Sequence, residues 1–217
     1  MITVTELTKK YGTQTVLDLA DLEIPKGQSF GLVGNNGAGK TTTISILTGL
    51  LNYDSGHVHI NGLELEKSYK KIRPLIGLVP QEIALYETLT ARENLRFIAE
   101  MYGIRGREMR LRVDECLEIL GLGKNGHKQI RKYSGGMKRR VNLAAGILHK
   151  PRILILDEPT TGLDPNQIQE IRRLIRTLGS DKTVILSTHI LQEVEAVADA
   201  VIVVSEGRKV FDGTPAE

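Results

Sequence analysis

The chain has 217 residues, 41% hydrophobic and 25% charged, with a formal net charge of +3, which is too small to argue for nucleic acid as a partner. That length fits one α/β domain with an inserted subdomain and a sizeable core. No apolar run approaches the roughly 18 residues that suggest a membrane span, so any membrane role has to come through a partner.

The chain opens directly on the alternating ITVTEL, which reads as a strand, so no secretory leader is expected. Strands are predicted for ITVTELT and VLDLADLEI, with turns at Gly12 and Pro25-Lys26-Gly27. QSFGLVG, ending at Gly34, reads as a third, apolar strand, and it runs into GNNGAGKTT at residues 34–42. There Gly34, Gly39, Lys40 and Thr41 have the spacing of a phosphate-binding loop. Glycines let the backbone curl until successive N–H groups face an anion. The helix that follows aims its positive end at the same point. Lys40 can then reach the β- and γ-phosphates, and the Thr41 hydroxyl can ligate the accompanying Mg²⁺. The following TTTISILTGLL predicts a helix over residues 41–51 with Ile44, Leu47, Leu50 and Leu51 on one side. This strand–loop–helix setting makes the chain a binder of a nucleoside triphosphate.

HVHING alternates like an edge strand or hairpin. Its His57 and His59 have no cysteine or further histidine nearby to complete a zinc site. IGLVPQ, residues 76–81, reads as a short buried strand ended by a proline turn. From Thr88 to about Lys150 the pattern turns helical, dividing a nucleotide core at about 1–87 and 151–217 from a helical subdomain at about 88–150. Cys116 falls in this stretch and reads as a packing residue. As the sole cysteine it excludes an internal disulfide and suits a reducing compartment. Near the end of the helical stretch lies YSGGMKRR. Ser134 is placed to cap the helix that follows, and a Ser-Gly-Gly helix start is a second anion-binding device. Lys138 to Arg140 and Arg105 to Arg112 read as solvated helix faces.

Strands return with RILILDEP, whose four apolar residues Ile153 to Leu156 mark a buried parallel strand. Its two terminal acids would stand beside the phosphate loop, because open α/β sheets bind ligands off the carboxyl ends of their strands. Asp157 can hold Mg²⁺ through water, leaving Glu158 to polarise the attacking water. A helix through QIQEIRRLIRTL, a strand TVILSTH, a helix LQEVEAVA and a strand AVIVVSEG complete the pass. No repeat, low-complexity segment or Pro/Ser-rich linker interrupts it.

These residues resemble the nucleotide-binding domain of ABC ATPases over essentially the whole chain. GNNGAGKTT, from Gly34 through Asn35, Asn36, Gly37, Ala38, Gly39, Lys40 and Thr41 to Thr42, is similar to the family's Walker A loop, and ILILDE to its Walker B strand. YSGGM resembles the LSGGQ signature. TGLDP resembles the D-loop carrying Asp164. Gln81 falls at the Q-loop position, His189 at the switch-histidine position, and Tyr11 at that of the adenine-stacking aromatic. Tyr133 and Met137 depart from the signature's usual leucine and glutamine, and Asn35 stands where many members have proline.

The resemblance implies an α/β P-loop NTPase (RecA-like) core with an N-terminal antiparallel β subdomain and an inserted helical subdomain. It also implies a composite site. ATP and Mg²⁺ meet Lys40, Thr41, Gln81 and Asp157 of one subunit, while Ser134, Gly135 and Gly136 of a second subunit close over the γ-phosphate, with Glu158 as base and His189 steadying that phosphate. The expected assembly is a homodimer or paired ATPase subunit on an integral membrane permease, peripheral on the cytoplasmic face of the cell membrane and acting in export. The region after Gln81 would form the groove for the permease. The competing class is a non-transport ABC ATPase acting on nucleic acid or ribosomes, disfavoured because these 217 residues show neither the long heptad arms nor the second nucleotide domain expected of such members. A small GTPase or kinase on the same loop would lack the Ser-Gly-Gly element, and no guanine-reading NKxD pattern is present.

Overall fold

Successive side chains of the strand Ile153–Asp157 enter different cores, and all five residues are buried. Ile153 and Ile155 join one apolar cluster while Leu154 and Leu156 join another, as the two-residue period of a strand requires. A strand covered on both faces is the parallel-sheet signature that its uninterrupted apolar run predicts.

The computed structural model describes residues 1–217. In chain order the elements are β1 (Ile2–Tyr11), β2 (Gln14–Ile24), β3 (Ser29–Val33), α1 (Lys40–Leu47), β4 (Ser55–Ile60), β5 (Leu63–Glu64), α2 (Leu65–Ile72) and β6 (Ile76–Val79). The helices α3 (Ala91–Met101), α4 (Gly106–Ile119) and α5 (Gly135–Ile147) follow. Then come β7 (Ile153–Asp157), α6 (Pro165–Gly179), β8 (Thr183–Thr188), α7 (Leu191–Val197), β9 (Ala200–Ser205) and β10 (Arg208–Gly213).

Two sheets result. An antiparallel one runs β2-β1-β4-β5, and a six-stranded one runs β10-β9-β3-β8-β7-β6, parallel throughout except for the β10 edge. Helix α1 contributes Ile44, Ile46 and Leu47 to the core that unites the two sheets. The other face of the large sheet packs with α3, α4, α5 and α6 around Leu95, Leu117, Leu143 and Ile171. Helix α3 begins at a reciprocal cap: Glu93 N–H donates to the Thr90 hydroxyl while the Glu93 carboxylate accepts from Thr90 N–H at 2.8 Å.

The register positions the site. Val33 stands opposite Thr188, Ser187 opposite Asp157, and Leu156 opposite Val79. The loops leaving β3, β8, β7 and β6 therefore emerge side by side at one edge, the carboxyl end where open α/β sheets place ligands.

Three details differ from the sequence expectation. The helix after the phosphate loop stops at Leu47 instead of running to Leu51. Gly49 takes a left-handed φ of 68°, where the ring of Tyr69 leaves no room for a Cβ, and Leu50 is left 68% exposed. Helix α2 carries no apolar period long enough to announce itself, and Ser68 interrupts its helical dihedrals. Strand β10 returns on β9 through Glu206 and Gly207, both at positive φ, a two-residue turn that the SEG tripeptide conceals.

Candidate functional site

The phosphate loop is shaped by what lies behind it. A Cβ on Gly34 would come within 2.3 Å of the Val204 carbonyl oxygen, so only glycine lets β3 turn against β9 there. Gly39, with φ at 107°, caps α1 from a conformation that disfavours other residues. Ala38 N–H donates to Asn35 O, closing the turn, while the N–H groups of Gly39, Lys40, Thr41 and Thr42 find no acceptor in the protein. Four donors at a helix start thus face one cleft, the arrangement that binds an anion. Asn35 serves the loop through its carbonyl, which accepts from Ala38 N–H and from the Lys40 ammonium.

Lys40 is buried, and its ammonium donates to Gly34 O at 2.7 Å and Asn35 O at 3.1 Å. It also lies 3.6 Å from the Glu158 carboxylate. Glu158 is buried too, at a φ of 47° just past the end of β7. Its carboxylate accepts from Thr161 Oγ1 at 3.1 Å and from His189 Nδ1 at 2.8 Å. A left-handed φ strains a residue that carries a Cβ, and the bonds from Thr161 and His189 hold Glu158 there. One residue earlier, Asp157 accepts from Thr41 Oγ1 at 3.1 Å and from Ser187 Oγ at 2.7 Å.

The cleft between these groups is lined by Tyr11, Val16, Asn36, Gly37, Gly39, Lys40, Thr41, Thr42, Gln81 and Glu158. Tyr11 stands at its mouth, 56% exposed, with the Lys9 ammonium 5.6 Å from the ring centre. Of the residues singled out in the sequence, Tyr11, Gln81, Glu158 and most of the phosphate loop line this cleft, while Asp157 and His189 join it through their hydrogen bonds with Thr41 and Glu158. Ser134, Gly135, Gly136 and Asp164 do not line this cleft.

Ser134 caps α5 by accepting from Met137 N–H at 3.3 Å, and Ser134 and Gly135 are exposed. A Cβ on Gly136 would press on Gln167, so the start of α5 abuts that of α6. Asp164 caps α6, accepting from Gln167 N–H at 2.9 Å. The two departures from the signature pattern pack inward. Tyr133 is buried with its hydroxyl donating to Asn125 O at 2.6 Å, and that burial raises its pKa; Met137 lies against the helical core. Cys116 is buried and unpaired, its thiol pushed up to about 12 by burial, as a packing role requires.

The donor set fits magnesium. The Thr41 hydroxyl and Asp157 carboxylate are hard oxygen ligands within hydrogen-bonding distance of each other, and no cluster of three or more His, Cys, Asp or Glu side chains competes for a softer ion. Magnesium is typically held by one or two protein oxygens together with substrate phosphates and water.

Sequence reasoning missed a second tier. Glu193, almost fully buried, accepts from Thr188 Oγ1 at 2.7 Å and from Thr160 Oγ1, tying the loop that carries His189 to the turn after Glu158. Ser187 holds Asp157. The signals were the hydroxyls beside known motif residues, in DEPTT and LSTH. One reading is overturned: within Lys138 to Arg140, taken as a solvated face, Arg139 is only 3% exposed. Its guanidinium turns inward to the loop after β6, where Pro80 and Gln81 present carbonyl oxygens.

A family model described as ABC transporter matches residues 17–161. The linearmycin resistance ATP-binding protein LnrL of Bacillus subtilis (strain 168) is 43% identical over 215 residues, which cover 99% of this chain and 69% of the relative. The bacitracin transport ATP-binding protein BcrA of Bacillus licheniformis is 43% identical over 210 residues, 96% of this chain and 68% of the relative. A dimeric structure of a post-hydrolysis state of the ATP-binding cassette MJ0796 bound to ADP and Pi superposes with a TM-score of 0.87 at 28% identity, covering 99% of each chain.

Proposed function

The chain belongs to the ABC transporter family, and we propose that it hydrolyses ATP to drive export through a separate membrane permease. Binding and hydrolysis of ATP are the family's activity, and a dimeric post-hydrolysis state is among the structures this chain is similar to. The observation that carries the reading is the convergence of Lys40, Thr41, Asp157, Glu158 and His189 at the carboxyl ends of three adjacent parallel strands.

The free N–H groups of the loop and the Lys40 ammonium hold the β- and γ-phosphates, and Tyr11 stacks on adenine. Glu158 takes the proton of the attacking water, a step worth roughly 10² to 10⁴ in rate. Its hydrogen bond from His189 orients the carboxylate, and the imidazole would steady the γ-phosphate. Thr41 and Asp157, with Gln81, would hold Mg²⁺, which neutralises phosphate charge when bound. Ser134, Gly135 and Gly136 of a second copy close over the same phosphate, and Asp164 lies in that interface. ATP then favours the closed pair by its differential affinity, and its hydrolysis releases the pair. The helical unit spans about residues 88–150.

The export direction draws support from relatives named for linearmycin resistance, bacitracin transport and Nod factor export. A groove lined by Ile83, Tyr86, Phe97 and Met101, the last three exposed, suits a helix of the permease. No helix of the chain is long and apolar enough to cross a membrane, so the partner tethers it to the cytoplasmic face. The test is purification of the tagged chain from solubilised membranes. An integral membrane subunit is expected to come with it, and Phe97→Asp to release it while ATP binding persists. A chain that binds no membrane subunit and whose ATPase is stimulated by nucleic acid would defeat the proposal.

A further inference from the structure

Helix α5 starts at the Ser134 cap and buries Arg139 one turn later. No carboxylate pairs with this arginine. Its Nη1 donates to Pro80 O at 3.1 Å and to Gln81 O at 2.9 Å, and Asn142 Nδ2 adds a bond to Pro80 O at 3.1 Å. Its Nε is buried without any acceptor. Burial also pushes the guanidinium below its ordinary pKa.

Such a residue is costly to the fold. A buried cation with no counter-charge and an orphan N–H loses hydration it does not recover, and an apolar side chain of similar volume is often neutral or stabilising in its place. The loop it grips has little else to hold it. Strand β6 ends at Val79, Pro80 has no N–H, and no N–H from Gln81 to Leu85 donates to the protein. Two side chains of α5 therefore fix where the loop leaves the sheet.

We infer that Arg139 is a positioning residue: it ties the loop carrying Gln81 to the helix that begins at Ser134, so that the two shift as one. The inference rests on the proposed roles of Gln81 at this molecule's nucleotide and Ser134 at its neighbour's. The guanidinium then makes filling of the chain's own cleft set how it presents the Ser134 corner to a second copy. It touches neither nucleotide, and a misplacement of about 1 Å passed on through Gln81 can cost up to roughly 10²-fold in rate.

The experiment compares steady-state MgATP hydrolysis and melting temperature for the purified chain and its Arg139→Met, Arg139→Lys, Gln81→Ala and Arg139→Met/Gln81→Ala variants. Arg139→Met is expected to melt at or above the wild-type temperature, to keep its KM for ATP and to lose roughly tenfold in kcat. Arg139→Lys, whose ammonium can also donate to carbonyl oxygens, should regain most of that loss. In the Gln81→Ala background Arg139→Met should cost nothing further. Wild-type turnover in Arg139→Met, the same loss repeated on top of Gln81→Ala, or a large fall in its melting temperature would each overturn the inference. If Gln81→Ala alone turns over normally, the reading of Gln81 has failed, the single variant shows it, and the inference falls with it.

Discussion

The Lys40 ammonium lies 3.6 Å from the Glu158 carboxylate, with both side chains more than nine-tenths buried. A pair this sheltered is screened little by salt. A triphosphate arriving in the loop brings its own negative charge to the same ammonium, so nucleotide and Glu158 compete for Lys40 while Thr161 and His189 keep the acid in place. Glu158→Gln preserves the shape and removes both the charge and the proposed base. It is expected to bind ATP at least as tightly as the wild type, to lose about 10² to 10⁴ in kcat and to accumulate as an ATP-bound dimer. Gel filtration with ATP beside a phosphate-release assay checks this, and normal turnover would refute the assigned base.

Lys40→Ala acts from the other side of the pair. Each charge-assisted bond lost costs about 1.5–3 kcal/mol, or roughly 10- to 100-fold in ATP affinity. The change also leaves Glu158 buried without its counter-charge, so the folded state should weaken as well. Calorimetric titration with ATP and a denaturation curve measure the two effects separately, and unchanged affinity would contradict the placement of the phosphates.

Ser187 and Thr41 grip opposite oxygens of Asp157, at 2.7 Å and 3.1 Å. Ser187→Ala removes one donor and lets the carboxylate turn, without touching the phosphate loop. Losses in metal affinity of about 10- to 100-fold are typical when such supporting partners are removed. The expected result is a higher Mg²⁺ concentration for half-maximal hydrolysis with little change in nucleotide affinity. A Mg²⁺ titration at saturating ATP shows whether Asp157 serves the metal.

What the sequence made legible follows from how local each signal is. The phosphate loop, the DE acids and the Ser134 cap are each written within a few consecutive residues, because a strand end, a turn and a helix start supply all the geometry they need. Arg139 escapes the sequence for the opposite reason. Its partners, the carbonyls of Pro80 and Gln81, lie 59 and 58 residues away and carry no side-chain signal, so a KRR run looks like any wet helix face. The same holds for Glu193, whose two threonine partners become neighbours only when β7 and β8 pair. The overlong first helix has a local cause that was in view, Gly49, but the ring that makes glycine necessary there belongs to Tyr69.

Gly34 provides a test of how tightly the loop is seated. An added Cβ would meet the Val204 carbonyl oxygen at 2.3 Å and Ala38 Cβ at 2.9 Å. The first is backbone of β9, held between β3 and β10, so the loop has to yield. Gly34→Ala should cost about 1–3 kcal/mol of stability, read as a lower denaturant midpoint, and should weaken ATP binding because the displaced loop carries the anion-facing N–H groups. A variant with wild-type midpoint and affinity would show that the loop is free to shift.

His149 gives the fold a pH dependence. Its ring stacks on Tyr102 with centroids 3.8 Å apart, and its Nε2–H donates to Ile76 O at 2.9 Å, which leaves Nδ1 as a buried lone pair with no donor. Protonating Nδ1 would bury a charge with nothing to accept its hydrogen. Burial, followed by the nearby Arg112 and Arg73, accordingly lowers the pKa from 6.5, while the Ile76 bond opposes the shift. The unfolded chain therefore takes up this proton first as pH falls, so the folded state loses stability below about 6.5, down to the lowered folded value, and gains nothing above it. His149→Phe keeps the stack and cannot titrate. It should be less stable than wild type at neutral pH, by about 1 kcal/mol for the orphaned Ile76 carbonyl, yet lose less on acidification. Melting temperatures of both proteins between neutral pH and about pH 5 measure the difference in slope, and parallel curves would remove His149 as the cause.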